Sequence, residues 1–270
     1  MAALKPRLDE LLVERGLFSN VHDAQVAVLA GEVIVGEHRE TSAGKRLKPD
    51  VAIRLKNHST FVSRGGEKLK GALAAFAMDV AGLHAADLGC STGGFTDCLL
   101  KAGAACVSSI DVGYGQFSWM LRNDPRVSLF ERTNVRGIDV TAVGGPFDLV
   151  VGDLSFVSLK SLMPDISRML KAGGQLAILV KPQFELDSSL VGEGGIVRDP
   201  ALHEQALVQA SNAAVSCGLI VDDVACSPVK GTKGNVEFLL HAIKPALPSE
   251  RGQLQLAEGR IEQIVAQAHA

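Results

Sequence analysis

From Ala72 onward, short apolar runs alternate with amphipathic stretches. His84 to Leu88, Cys106 to Ile110, Val127 to Phe130, Phe147 to Val151, Leu176 to Val180, Leu219 to Val224 and Val236 to His241 read as strands. Thr96 to Lys101, Ser158 to Leu170 and Pro200 to Cys217 read as helices, the last with Asp199 as its cap and Pro200 in its first turn, where a missing N–H costs nothing. Strands alternating with helices predict a parallel, doubly wound α/β sheet whose ligand sits beyond the carboxyl ends of the strands. The N-terminal quarter has a different pattern. Pro6 opens a helix with Leu8, Leu11 and Leu12 on its apolar face and Gly16 as its stop; Asn20 caps a second, with Ala24, Val26, Ala27 and Leu29 inward and Gly31 at its end. Two strand-like stretches follow, Val33 to Val35 and Val51 to Leu55, around a charged, turn-rich segment from Glu37 to Asp50. The expected organisation is a small α+β domain over 1–60, a linker and start of the second domain over 61–72, the α/β domain over 73–248, and a helical tail over 249–270, its helix from Gln253 to Gln267.

Composition narrows the class. Of 270 residues, 47% are hydrophobic and 21% charged, an ordinary globular balance, and no apolar run approaches the ~18 residues of a membrane-spanning helix. With no charged-then-apolar leader at Met1 to Glu10, the expectation is a cytoplasmic protein without membrane contact. Cys90, Cys98, Cys106, Cys217 and Cys226 form no C-x-x-C pair, which fits reduced core thiols and no metal site. The net charge of −3 conceals an asymmetry: residues 1–72 carry +3 and the remainder −6. Any basic surface for a polyanion is therefore expected at the N-terminal end.

That end carries R-L-D-x-L-L-V-x-R-G at Arg7 to Gly16, followed by a helix-to-strand stretch from Ala24 to Gly36 that ends L-A-G-E-V-I-V-G. It resembles the RNA-binding domain first described in ribosomal protein S four. The resemblance implies that Arg7, Arg15, Arg39, Lys45, Arg46 and Lys48 meet RNA phosphates, whose neutralisation supplies sequence-independent affinity. On composition alone the same charges are a solvated face.

The α/β part opens on Asp87-Leu88-Gly89-Cys90-Ser91-Thr92-Gly93-Gly94-Phe95, a glycine turn between a strand and a helix. Glycines let the backbone approach a ligand closely, and free amides at the helix start favour negative charge. As a dinucleotide fingerprint it lacks the middle glycine, where Ser91 stands. As a hydrolase elbow, Gly89-Cys90-Ser91-Thr92-Gly93 fits literally, but that reading needs an acid such as Asp153 and a histidine, and His203 and His241 fall inside a helix and a strand. The pattern D-L-G-x-S-x-G-G-F also resembles the first motif of S-adenosylmethionine-dependent methyltransferases. That resemblance implies that Asp87, Gly89, Ser91, Gly93, Gly94 and Phe95 hold the methionine part of the cofactor. Asp111, 24 residues after Asp87, is placed to take the ribose hydroxyls. Asn134 and Arg136 are expected at the adenine edge, with Leu154 and Ser155 packed on the cofactor.

Four charged residues stand at the edges of apolar strands or a helix start: Lys68 in S-R-G-G-E-K-L, Asp153 in V-V-G-D-L-S-F, Lys181 in I-L-V-K-P-Q-F and Glu237 in G-N-V-E-F. Such charges are costly unless paired or functional. In order and context they resemble the Lys-Asp-Lys-Glu tetrad of FtsJ-like ribose 2′-O-methyltransferases. Together with the N-terminal segment, K-P-Q-F-E at Lys181 to Glu185 and G-E-G-G-I-V-R-D-P at Gly192 to Pro200, the chain resembles the haemolysin-type TlyA ribosomal RNA methyltransferases over nearly its whole length. Lys56 to Phe61 lacks the aromatic interdomain motif of some members. The resemblance implies a Rossmann-like, seven-stranded, mostly parallel methyltransferase sheet and a cytidine 2′-hydroxyl in 16S or 23S rRNA, free or in assembled subunits, as acceptor. Lys181 would act on that hydroxyl, Asp153 and Glu237 would orient the lysines, and Lys68 would position the acceptor. Arg64 and Arg198 are further candidates for phosphate, Arg198 on a loop that is either a lid or a plain connection. With one Trp and one Tyr, aromatic stacking is not expected to dominate RNA recognition. The haemolysin name implies lysis, yet no membrane-active segment is present. The competing classes are a serine hydrolase through Ser91 and a catalytically silent RNA-binding protein; oligomeric state is not readable.

Overall fold

The computed structural model describes residues 5–18, 20–55, 61–231, 233–247 and 252–269, and the chain forms two compact units, Met1–Ser59 and Thr60–Ala270. The segment 56–60, most of the stretch lacking the interdomain motif, lies outside the described residues.

In the first unit, α1 (Leu8–Glu14) and α2 (Val21–Leu29) pack over β1 (Val33–Val35), β2 (His38–Glu40) and β3 (Ile53–Leu55), an antiparallel sheet in the order β2-β1-β3. Leu8, Leu12, Ala24, Val28 and Val33 form its core. The Asn20 side chain accepts the Asp23 N–H at 2.9 Å, the expected cap. β2 falls within the stretch read as turn; its residues are largely exposed, and it exists through backbone pairing with β1 across a Gly36-Glu37 turn.

The second unit begins with α3 (Gly65–Ala75), where the sequence suggested a linker. Then follow β4 (His84–Leu88), α4 (Gly94–Lys101), β5 (Cys106–Ile110), α5 (Trp119–Arg122), β6 (Val127–Phe130), β7 (Phe147–Gly152), α6 (Leu159–Met169), β8 (Leu170–Val180), α7 (Pro182–Glu185), α8 (Pro200–Ser216), β9 (Ile220–Cys226), β10 (Phe238–Ile243) and α9 (Arg260–His269). The seven strands lie in the order β6-β5-β4-β7-β8-β10-β9, and only β10 runs against the others. This is the mostly parallel, doubly wound sheet expected, with its switch point between β4 and β7. Its two faces bury separate apolar clusters. Leu69, Phe95, Leu99 and Leu121 cover one; Leu162, Met163, Ile166, Leu207, Ile264 and Val265 cover the other. The C-terminal helix starts at Arg260 rather than near Gln253, because Leu254 forms a parallel bridge to Val221 at the sheet edge.

Candidate active site

The glycine turn joins β4 to α4 at the carboxyl edge of the sheet. Gly89 has φ +76°, and a Cβ there would stand 3.0 Å from the Asp153 carbonyl oxygen, so only glycine lets the turn lie against the end of β7. Gly94 is held by close approach: its Cβ would meet the Gly66 nitrogen at 2.9 Å, because the starts of α3 and α4 pack together there. Gly93 caps α4, and Phe95, 3% exposed, anchors the turn in the core. Ser91 is exposed, and its backbone N–H donates to Asp111 Oδ2 at 2.7 Å while Gly113 N–H donates to Oδ1 at 2.7 Å. Asp111 is thereby fixed beside the turn with lone pairs to spare for hydroxyl donors.

Asp87 does not face the cleft. It is completely buried, and Oδ2 accepts from Thr96 N at 2.9 Å and Thr96 Oγ1 at 2.6 Å, tying β4 to α4. Burial pushes its carboxyl up to about 7, against the pull of the Thr96 bonds, and Oδ1 has no hydrogen-bond partner.

Lys68, Asp153, Lys181 and Glu237 come together. Lys68 projects from α3, Asp153 follows β7, Lys181 ends β8 and Glu237 precedes the antiparallel β10, so three strand ends and one helix supply one cluster. Lys68 Nζ is 2.6 Å from Glu237 Oε2 and 3.4 Å from Asp153 Oδ2; Lys181 Nζ is 2.6 Å from Asp153 Oδ1 and donates to Ser155 Oγ at 2.7 Å. Lys68, Lys181 and Glu237 are all under 9% exposed. Two buried ammonium groups balanced by two carboxylates leave no uncompensated charge, the condition for keeping ions out of water. Glu185, half-buried and with its carboxyl pushed up by desolvation, accepts from Leu159 N at 3.0 Å and Ser158 Oγ at 2.7 Å, fastening the turn after Lys181 to the start of α6.

The cluster stands between cavities. On the glycine-turn side, a ≈ 200 Å³ cavity is lined by Arg64, Lys68, Gly89, Ser91 and Asp153, and a ≈ 320 Å³ cavity by Gly89, Asp111, Thr133, Val135 and Leu154. On the other side, a ≈ 260 Å³ cavity is lined by Lys181, Glu237, Gln183, Asn235, Phe156 and Phe184. Ser155 and Phe156 border both this cavity and the one beside Asp111.

Residues 61–244 match the FtsJ-like methyltransferase family. The chain belongs to that family. It is 43% identical over 240 residues to the 16S/23S rRNA (cytidine-2′-O)-methyltransferase TlyA of Mycobacterium tuberculosis, covering 88% of this chain and 90% of that protein. It is 41% identical over 271 residues to the Bacillus subtilis protein YqxC, covering 100% and 96% of the two chains. A Streptococcus thermophilus protein whose solved structure is named a hemolysin superposes with a TM-score of 0.76 at 38% identity, covering 99% of this chain and 97% of that one.

For an FtsJ-like methyltransferase the cleft beside the glycine turn is the place for the methyl donor, and its residues fit a cationic, ribose-bearing group. Gly89 provides a cradle that a side chain would fill, Asp111 faces the ≈ 320 Å³ cavity, and the buried Asp87 Oδ1 puts unpaired negative potential beneath the turn. Asn134 and Arg136, expected at the adenine edge, are not among the residues that line this cavity. Asn134 is exposed and spends its Oδ1 on the Arg136 N–H at 2.9 Å, and Arg136 is also exposed; Thr133 and Val135 face the cavity instead. The hydrolase reading fails for want of a base. Among the described residues no histidine lines a cavity with Ser91: His203 bonds His269 at 2.9 Å and the Val197 carbonyl at 3.1 Å, and His241 bonds Asp222 at 3.1 Å and Gln175 at 3.0 Å.

Among the basic candidates, Arg7 is the clearest departure. Its guanidinium grips the buried Asp9 at 2.9 and 2.7 Å and holds that carboxyl well below the usual range, which is a structural role. Arg39 donates to the Ala30 carbonyl at 2.7 Å and Arg46 to the Lys5 carbonyl at 2.8 Å; Arg15 reaches the Pro49 carbonyl and Lys45 pairs with Glu40. Lys48 and Arg198 are exposed, and Arg64 lines the cavity with Lys68. The 192–199 loop is tied to the rest of the domain at Val197, which is buried, with its N–H on Asn235 Oδ1 at 3.0 Å and its carbonyl on His203 at 3.1 Å. Sequence reasoning missed Phe156. Its φ of +63° is costly for a bulky side chain, and the ring is 91% exposed at the border of the cavities. Counting aromatics could not find it, because backbone strain and exposure are invisible in composition. No helix of the described residues is long and apolar enough to cross a membrane.

Proposed function

We propose that this protein methylates the ribose 2′-hydroxyl of a cytidine in ribosomal RNA, with S-adenosylmethionine as donor. The observation that carries the reading is Lys181: a buried ammonium, ion-paired to Asp153 at 2.6 Å, that faces a cavity on the side of the cluster away from the glycine turn. The names of relatives at 41–43% identity, both rRNA methyltransferases, point to the same substrate class.

The cofactor supplies a methyl group on a sulfonium. Asp111 would hold the ribose hydroxyls of that donor; the Gly89–Gly94 turn would hold the methionine portion, with the charge of Asp87 beneath it; Leu154 would pack on the adenosine side. The acceptor hydroxyl is a poor nucleophile because its proton is tightly held. Lys181 Nζ would stabilise the oxygen as negative charge develops, with Asp153 and Ser155 fixing its direction. Lys68, bridging Glu237 and Asp153, keeps both carboxylates in place and helps position the acceptor. Enclosure of the cluster strengthens each of these interactions by excluding water. Lys48, Arg64 and Arg198 supply phosphate contacts, with the exposed Phe156 ring offered to an unstacked base. The reduced thiols and the RNA substrate fit a cytoplasmic enzyme.

Purified protein incubated with ribosomal subunits lacking the modification and with methyl-labelled cofactor should deposit label as 2′-O-methylcytidine at one or few positions. Label found only on a base, or RNA binding with no transfer, rejects the reading, the latter in favour of a silent RNA-binding protein.

A further inference from the structure

The cavity beyond Lys181 has a polar lining in which all side chains but one are already engaged. Ser155 Oγ accepts from Lys181 at 2.7 Å, and Glu237 takes Lys68 at 2.6 Å. Asn235 is 4% exposed and spends both ends of its amide on the loop wall, Oδ1 on Val197 N–H at 3.0 Å and Nδ2 on the Gly195 carbonyl at 2.8 Å. Lys233 leans on the Gly194 carbonyl at 3.4 Å. The Gln183 side chain makes no hydrogen bond among the described residues, and its Oε1 is buried without a partner. A buried amide oxygen left unpaired costs ~1–3 kcal/mol, so its persistence beside a catalytic cluster points to a ligand group that completes it.

The chemistry of that ligand follows from the amide. Gln183 presents an acceptor and a donor on one carbon, the complement of the adjacent N4 amine and N3 acceptor of cytosine. The apolar walls suit a planar ring: Phe156 and Phe184 lie with ring centroids 5.3 Å apart, and Phe156 is 91% exposed. Enzymes that act on an extruded nucleotide stack its base on such side chains and read its Watson–Crick edge. We propose that Gln183 is the base-reading residue of this enzyme, its amide pairing with N4 and N3 of the cytosine whose ribose lies against Lys181. The proposal rests on the ribose-methylation reading and adds the residue that selects the base. Uracil presents the reversed pair and would require the amide to turn over.

The test compares wild-type protein and Gln183→Leu on two ribosomal RNA transcripts, one carrying the mapped target cytidine and one with uridine in its place. The wild type should prefer cytidine. In Gln183→Leu, kcat/KM on the cytidine transcript should fall about 10- to 100-fold, the worth of one bidentate pair, with the uridine rate little changed and cofactor affinity and Tm retained. If the leucine variant loses cofactor binding, Gln183→Glu replaces it, having the same shape but no donor for N3, and the same collapse of preference is expected. An unchanged cytidine-to-uridine ratio in the folded variant overturns the proposal, as does a wild type that methylates both transcripts equally. A wild type that methylates neither transcript nor intact subunits overturns the underlying reading instead.

Discussion

Asp87 offers a test of how the glycine turn is built. Its carboxyl is fully buried and pushed up to about 7 from an ordinary 3.8, so the folded protein resists ionising it while the unfolded chain does not. Because the folded value is the higher one, the folded state binds more protons between about pH 4 and 7. Stability therefore falls as pH rises through that window and stays lowered above it. The gap converts to at most ~4 kcal/mol at pH 8, and about three quarters of that is absent at pH 4.5. In Asp87→Asn the amide oxygen keeps both Thr96 bonds, and the NH2 takes the place of the unpartnered Oδ1 at a cost of ~1–3 kcal/mol. The net expectation at pH 8 is a gain of ~1–3 kcal/mol, or roughly 3–9 °C in Tm for a domain of this size, turning into no gain or a loss at pH 4.5. Thermal unfolding of both proteins across this range reads the effect directly. A Tm change of the same sign and size at both pH values would refute the claim that Asp87 is strained by ionisation. The variant should also bind cofactor more weakly at pH 8, since the negative potential beneath the turn is gone.

Other perturbations follow from the same geometry. Lys68→Met leaves Glu237, 4% exposed, without its cation and should cost ~3–5 kcal/mol; Lys68→Met with Glu237→Gln should recover most of that stability in urea unfolding but none of the methyl transfer. Gly89→Ala forces a Cβ to 3.0 Å from the Asp153 carbonyl at φ +76°, so cofactor affinity measured by calorimetry should drop at least tenfold while the fold persists, a loss of about 1.4 kcal/mol or more. Lys48→Glu should weaken RNA binding and lower the salt slope of log K by about 1 or more, with catalysis at saturating RNA unchanged; an unaltered slope removes Lys48 from the phosphate contacts.

The elements that sequence pattern captured are those marked by continuous burial or by a capping side chain. β4, β5 and β7 are apolar runs covered on both faces, and Asn20 and Asp199 cap their helices through the side chains expected of them. What escaped lacks such a signature. β2 carries only polar residues, two of the three exposed, and is held by backbone pairing, and α3 begins with two glycines that hide its helical face. The four charges of the cluster were recognisable because charge at the edge of an apolar strand is expensive without a purpose. Their partition between two cavities was not, since it depends on side-chain direction. The same limit explains Arg7 and Asn134: residue type suggested RNA and cofactor, but a neighbouring carboxylate and a neighbouring amide take up their hydrogen bonds locally. Gln183 was visible only as one letter of a motif until its empty hydrogen-bonding capacity could be seen.

The central claim is that Lys181 activates a ribose hydroxyl beside the donor. Single-turnover methyl transfer to unmodified ribosomal subunits by Lys181→Ala, with products resolved as nucleosides by mass spectrometry and cofactor and RNA affinities measured alongside, addresses it most directly. The account predicts that 2′-O-methylcytidine formation drops by at least three orders of magnitude, ~4 kcal/mol of barrier, with both affinities within a few-fold of wild type. A variant that keeps binding and transfers methyl groups at near wild-type rate would contradict it.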